Sequence, residues 1–248
     1  MRVSVLGGKG LLGRRLVPLL EENGHLVTVS TRSPSGEGEV PADFVTGAGI
    51  SRAIADADVV VHLVSDATKP RKTDVEGTMR LLESLGDRHL LYISIVGVDQ
   101  HPFAYYRAKH EAEREISQSG VSHAILRATQ FHDFVAHFLR TACKPPVALI
   151  PKKFVFQPID TGEVAAALSD LVESRDTGLQ PDLAGPEIHD AEHLARTLMT
   201  AVGRERPVLN LPVPGKAARA FKEGLHTNPD RAVGKRTWAS FLEELGGR

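Results

Sequence analysis

Tyr105 and Lys109 stand four residues apart, eleven residues behind a serine, Ser94, that closes an apolar run. Side chains four apart on a helix share a face. A lysine ammonium beside a phenol favours the phenolate and brings its pKa down from about 10 toward the working range. A tyrosine so placed hands a proton to a substrate oxygen, and Ser94 adds an orienting hydroxyl at the end of its strand. A second set opens the chain: Gly7, Gly10 and Gly13 follow the apolar Val3 to Leu6, and a helical pattern begins directly behind them. Strand, tight glycine turn and helix N-terminus together accept a dinucleotide pyrophosphate. Glycine permits positive φ and lets backbone N–H groups approach phosphate oxygens, with Leu11 and Leu12 supplying amides in the turn. The helix end adds partial positive charge, and Lys9 and Arg14 add more. A hydride carrier and a proton donor are the parts of a reductase, and Lys109 is also placed to hold the nicotinamide ribose.

Positioning both sets requires strands that alternate with helices. Strand-like runs occupy 2–7, 25–30, 42–45, 58–64, 88–94 and 122–127, with helix-like stretches at 11–22, 50–56, 73–85 and 103–118 between them. That rhythm implies right-handed crossovers and a parallel sheet covered on both faces. The expected fold class is α/β, a Rossmann-type doubly wound parallel sheet with a small C-terminal substrate-binding lobe. Residues 1–128 form the nucleotide-binding core. Residues 129–248, with helices near 131–142, 162–173, 190–202 and 233–245, complete the sheet and build the lobe, all in one compact unit. Ser33 to Glu39 reads as a loop.

The 248 residues carry 30 basic and 31 acidic side chains, a balance that leaves no field for nucleic acid or an anionic membrane surface. One cysteine excludes an internal disulfide and a cysteine zinc cluster. The apolar runs are strand-sized, and the chain opens in its first strand, so the expectation is a cytoplasmic protein without a signal peptide. Its partner is a small-molecule substrate, and it is a monomer or a weak homo-oligomer.

The dinucleotide is chosen after strand two. There an acidic residue bonds the ribose hydroxyls of NAD. This chain has Thr31-Arg32-Ser33, with no carboxylate before Glu37. A guanidinium suits a 2′-phosphate through charge-assisted hydrogen bonds. NADP, with NADPH preferred over NADH, is the expected coenzyme.

At this point the chain resembles the short-chain dehydrogenase/reductase superfamily, in its atypical, NmrA-like branch. The glycine opening and Tyr105-x-x-x-Lys109 carry the resemblance, together with Asp58-Val-Val-Val-His-Leu-Val, Asp74-Val-Glu-Gly-Thr78, Leu126-Arg-Ala-Thr-Gln-Phe131, Gln157-Pro-Ile-Asp160 and Leu183-Ala-Gly-Pro-Glu187. The resemblance implies NADP in an extended groove, Leu63 and Val64 along the path from adenine to nicotinamide, and a pocket closed by C-terminal segments. It also implies a Ser or Thr partner for the tyrosine, often within a Ser-Ser pair, where this chain has Ser94-Ile95. The leading reading is an NADPH-dependent reductase of a small apolar carbonyl or quinone. Two alternatives stay open: a non-catalytic NADP-binding redox sensor, as some members of this branch are, and an NAD(P)-dependent epimerase or dehydratase.

Other signals are weaker. His189-Asp-Ala-Glu192-His193 has the spacing of a zinc-protease motif, but Asp190 there reads as the cap of a helix whose polar face carries both histidines, so no metal is expected. Phe131 and His132 follow strand six and stand equally for core packing and for the lining of a substrate pocket. His62, inside strand four, reads as a hydrogen-bonded core histidine. Phe154, Phe156, Phe221 and Trp238 read as core.

Overall fold

The glycine turn and the tyrosine–lysine pair both sit on one parallel sheet. A computed structural model describes residues 1–36 and 38–246. Among these, seven strands form one sheet: β1 (Arg2–Leu6), β2 (Leu26–Thr31), β3 (Glu39–Pro41), β4 (Val59–His62), β5 (His89–Ile95), β6 (His123–Ala128) and β9 (Gly178–Leu179). They pair in the order β3-β2-β1-β4-β5-β6-β9. β1 is flanked on both sides, Leu6 pairing with Ser30 of β2 and with His62 of β4. The strand order turns back between β1 and β4, and in such sheets ligands bind outside the carboxyl ends of the strands at that switch. Gly7 follows β1 there, and Leu63 follows β4.

The strands form where apolar runs can be buried on both faces: Val59, Val60 and Val61 are fully buried, as are Val5 and Leu6. Helices α1 (Gly13–Glu22), α2 (Ile50–Ala53), α3 (Gly77–Leu85), α4 (Ala104–Gln118) and α6 (Thr161–Ser174) alternate with them. α1 buries Gly13, Leu16 and Leu20, and α4 buries Tyr106, Lys109, Ala112, Glu113 and Ile116, the spacing of one helical face. Leu81 and Leu85 of α3 join Leu6, Val60, Leu90 and Ile116 in one core.

Two sequence expectations shift here. The third strand lies at Glu39–Pro41, ahead of the expected 42–45. Ala42 and Phe44 are apolar because they fill the core beneath α2 and α3, while Asp43 accepts the backbone N–H of Val45 and ends the pairing. The expected division at residue 128 is replaced by an interleaved one. The first unit holds Met1–Ser94, Ala104–Arg127 and Gly162–Pro181; the second holds Ile95–Phe103, Ala128–Thr161 and Asp182–Arg248. α6 and β9 thus belong with the sheet.

The second unit packs α5 (His132–Ala142), α7 (Ala191–Ala201) and α9 (Trp238–Gly246) around Leu139, Leu194, Leu198, Trp238 and Phe241. Helix α8 (Lys216–Glu223) and two small pairings, β7 (Ala148–Pro151) with β11 (Val208–Leu211) and β8 (Val155–Phe156) with β10 (His189–Asp190), complete it. Sequence periodicity anticipates none of the four strands, which are two to four residues long, and α8 is not among the expected helices.

Candidate functional site

Between β1 and α1 the chain builds a cradle whose three glycines act differently. Gly7 has φ +84° and lies against the strand-four exit, where an added Cβ would come 3.2 Å from Val64 Cγ2. Gly13 lets α1 press on the turn: a Cβ there would fall 2.5 Å from both Cα and O of Gly8. Gly10 has no positive φ, and a Cβ on it would crowd a single atom, Gly7 O, at 3.1 Å. Its open face is room left for a ligand. No side chain caps α1, and among the described residues no protein acceptor takes the N–H groups of Leu11, Leu12 and Gly13. Unsatisfied donors at a helix start, with no Cβ over the turn, fit a pyrophosphate. Leu63 donates its N–H to Leu6 O at 3.0 Å, so Leu63 and Val64 lie where a coenzyme crossing the switch point would run.

Around the end of β2, Thr31 Oγ1 accepts the N–H of Ser33 at 3.4 Å. Arg32 is exposed and makes no hydrogen bond or salt bridge among the described residues. Its charge acts on Asp43 and Asp66, whose carboxyls are held low first by local hydrogen bonds, to the Val45 N–H and the Thr68 hydroxyl respectively. Glu37 lies outside the described residues. Lys9 departs from expectation: its ammonium is neutralised by Glu39 at 2.7 Å instead of standing free for phosphate.

The tyrosine–lysine pair lies at the same edge of the sheet. Tyr105 Oη is 2.8 Å from Ser65 Oγ, and Ser65 donates to Asp74 Oδ1 at 2.5 Å. The single hydroxyl hydrogen of Ser65 goes to the carboxylate, so the phenol donates to Ser65. Asp74 is fully buried and also accepts the N–H of Asp66 at 3.2 Å. It reaches inward because Arg71–Glu76 winds as a π-helical turn before α3, rotating one extra residue toward the core. Lys109 is 2% exposed, donates to Ile93 O at 3.1 Å, lies 3.4 Å from Asp74 Oδ1 and sits 4.6 Å over the Tyr92 ring. Burial alone would lower its pKa, but Tyr92, Asp74 and Tyr105 outweigh that, and the ammonium is held charged, well above the usual lysine value.

The structure therefore links both Lys109, directly, and Tyr105, through Ser65, to the Asp74 carboxylate and leaves Ser94 apart. Ser94 is 3% exposed and its Oγ has no hydrogen-bond partner among the described residues. The hydroxyl beside the phenol comes from Ser65, in the loop after β4. Sequence reasoning missed both Ser65 and Asp74, although Asp74 opens the Asp74-Val-Glu-Gly-Thr78 segment and Ser65 directly follows Val64.

Phe131 is half-buried and bridges Ile159 through its backbone. His132 turns into the core of the second unit, fully buried, its ring stacked 5.2 Å from Phe241 and tilted 5.9 Å from Trp238. Burial lowers its pKa to about 4, against 6.5 for a free imidazole. Because the unfolded chain takes up this proton more readily, the stability contributed by neutral His132 is complete above about pH 6.5 and is lost as pH falls toward about 4. His62, fully buried and bonded to Thr78 Oγ1 at 3.0 Å, has its pKa lowered to about 3 by burial and works in the same direction. The unfolding temperature should drop across that window, and His132→Phe should flatten the slope. A wild-type profile level between those values would contradict a neutral buried imidazole. Asp190 caps α7 by accepting the N–H of His193 at 2.8 Å, and His189 and His193 stack at 4.9 Å.

No helix among the described residues is long and apolar enough to cross a membrane. Residues 7–173 match the NAD(P)H-binding family. The fold is similar to that of an NADPH-dependent quinone oxidoreductase from Escherichia coli complexed with NADPH, with a TM-score of 0.80, 16% identity and 99% of each chain covered. It is likewise similar to a nucleoside-diphosphate-sugar epimerase from Staphylococcus aureus, with a TM-score of 0.79, 18% identity, and 98% of this chain and 100% of that one covered. Among curated proteins, photosystem II assembly factor Ycf39 from Synechocystis sp. is 26% identical over 147 residues, which is 53% of this chain and 45% of that protein. The chain thus spans less than half the length of this relative. With a glycine cradle, a doubly wound sheet and a family match over most of its length, this chain belongs to the NAD(P)H-binding family.

Proposed function

We propose that the protein is an NADPH-dependent reductase of a small apolar carbonyl or quinone, with Tyr105 as proton donor. The observation that carries this reading is the hydrogen-bond chain from Tyr105 through Ser65 to Asp74, with the charged Lys109 on the same carboxylate. A nicotinamide coenzyme held over the Gly7–Gly13 turn would supply the hydride. Tyr105 gives its proton to the substrate oxygen as negative charge develops there, and the Lys109 ammonium stabilises the phenolate left behind. Ser65 is exposed, so water restores the proton to Tyr105 through it. A pure sensor has no use for a phenol held in this way. The guanidinium of Arg32, free of protein partners among the described residues, supports NADPH over NADH.

The test is a panel of quinones and apolar ketones with NADPH, followed by loss of reduced-coenzyme absorbance. Net NADPH consumption with stoichiometric alcohol or hydroquinone is the expected result. Conversion of a substrate without net consumption would assign an epimerase or dehydratase. Tight coenzyme binding with no turnover across the panel would assign the sensor.

A further inference from the structure

The loop after β2 contains an anion site that the protein fills with its own carboxylate. Glu39 starts β3 beside Val29, and its side chain turns back over the loop. Its Oε2 accepts the N–H of Ser35 at 2.6 Å and of Gly36 at 3.1 Å, and lies 2.7 Å from Lys9 Nζ. Lys9 also donates to Ser35 Oγ at 2.7 Å. The loop closes tightly on the carboxylate, since a Cβ on Gly36 would come 3.2 Å from Glu39 Oε1. The Lys9 hydrogen bond, then the Ser35 amide, hold the Glu39 carboxyl below the usual range.

Two successive backbone amides and an ammonium converging on one oxygen are what a phosphate monoester takes. Arg32 stands three residues before Ser35, at the strand-two exit that meets the coenzyme's 2′ position in this fold. We infer that Glu39 is an internal stand-in for the 2′-phosphate of NADPH, a competitor that must leave Lys9, Ser35 and Gly36 before that phosphate can take its place. A dianion with three acceptor oxygens outcompetes one carboxylate there, whereas the 2′-hydroxyl of NADH has no charge with which to displace it. The NADPH-to-NADH ratio is therefore set by Arg32 and Glu39 acting in opposition. The inference rests on the coenzyme reading above and is tested apart from any reaction.

Glu39→Gln keeps the size and an acceptor for the Ser35 amide but removes the competing charge. Titrations of NADPH and NADH, and of 2′-AMP against 5′-AMP as probes, are compared for wild type, Glu39→Gln, Lys9→Ala and the double variant, with thermal unfolding as the check on folding. We expect Glu39→Gln to bind NADPH and 2′-AMP about tenfold tighter, the scale of one charge-assisted contact. NADH and 5′-AMP should move by less than about threefold, well under that contact. Lys9→Ala should weaken NADPH and cancel the gain in the double variant, whereas Arg32→Ala, made alone and combined with Glu39→Gln, should weaken NADPH yet leave the gain in place in the combined variant. An NADPH-to-NADH ratio that is unchanged or lower in Glu39→Gln overturns the inference and makes Glu39 a loop clip. The wild-type ratio judges the coenzyme reading separately. A wild type that prefers NADH, shifted toward NADPH by Glu39→Gln, sustains the inference and sinks the proposed preference.

Discussion

Tyr105→Phe is expected to lower kcat by about 10²–10⁴-fold, the usual contribution of a positioned proton donor, with coenzyme affinity nearly unchanged. The substitution keeps the ring and its edge contact with Tyr106, whose centroid is 6.1 Å away. It removes the hydroxyl that meets Ser65. Ser65→Ala should lower kcat less, because it leaves the phenol in place but cuts it from Asp74 and from the solvent proton. Ser94→Ala should change little, as its buried hydroxyl meets neither Tyr105 nor any other polar atom among the described residues. Tyr106→Phe is the control: it lies about 100° further round α4 and is 4% exposed. Lys109→Ala is a poor probe. It would leave Asp74 buried without its cation, a cost of about 3–5 kcal/mol, so a kinetic loss would be mixed with an unfolding one. Single-turnover oxidation of NADPH with a substrate from the panel reads the effect. Tyr105→Phe with wild-type turnover ends the proton-donor reading; Ser94→Ala losing more than Ser65→Ala assigns the hydroxyl wrongly here.

The glycine turn, the parallel sheet and the tyrosine–lysine pair were legible because each depends on local spacing: three glycines behind a strand, apolar runs at regular distances, two residues one helical turn apart. What failed depends on contacts that no spacing carries. Ser94 looked like the partner of Tyr105 from its place at a strand end, yet the phenol bonds to the loop of a different strand. Asp74 was visible as part of a motif, but its role comes from the π-helical turn that rotates it inward, and nothing in Arg71–Glu76 announces that turn. Lys9 looks like a free charge in sequence because Glu39 lies thirty residues away and reaches it only through the pairing of β3 with β2. His132 stood equally for pocket and core, and helix α9, which stacks Phe241 on its ring, decided for the core.

Gly10→Val should abolish coenzyme binding in a protein that still folds, while Gly13→Ala should damage the fold itself. The two glycines lie in one motif but meet different surroundings. Gly10 does not have positive φ, so a side chain there is not excluded by the backbone, and its Cβ meets only Gly7 O at 3.1 Å. The branched side chain of valine instead fills the open face of the turn, above amides that have no protein acceptor. Those amides then lose several charge-assisted hydrogen bonds to phosphate, each worth about 1.5–3 kcal/mol, so affinity should fall by more than about a hundredfold. At Gly13 even alanine meets backbone, with Cα and O of Gly8 both at 2.5 Å, and neither can move unless α1 parts from the turn. NADPH fluorescence titration and thermal unfolding, run on both variants, separate the outcomes. Gly10→Val should unfold within a few degrees of wild type without enhancing NADPH fluorescence, and Gly13→Ala should unfold markedly earlier. A folded Gly10→Val protein that still enhances NADPH fluorescence would show that the pyrophosphate lies elsewhere than over this turn.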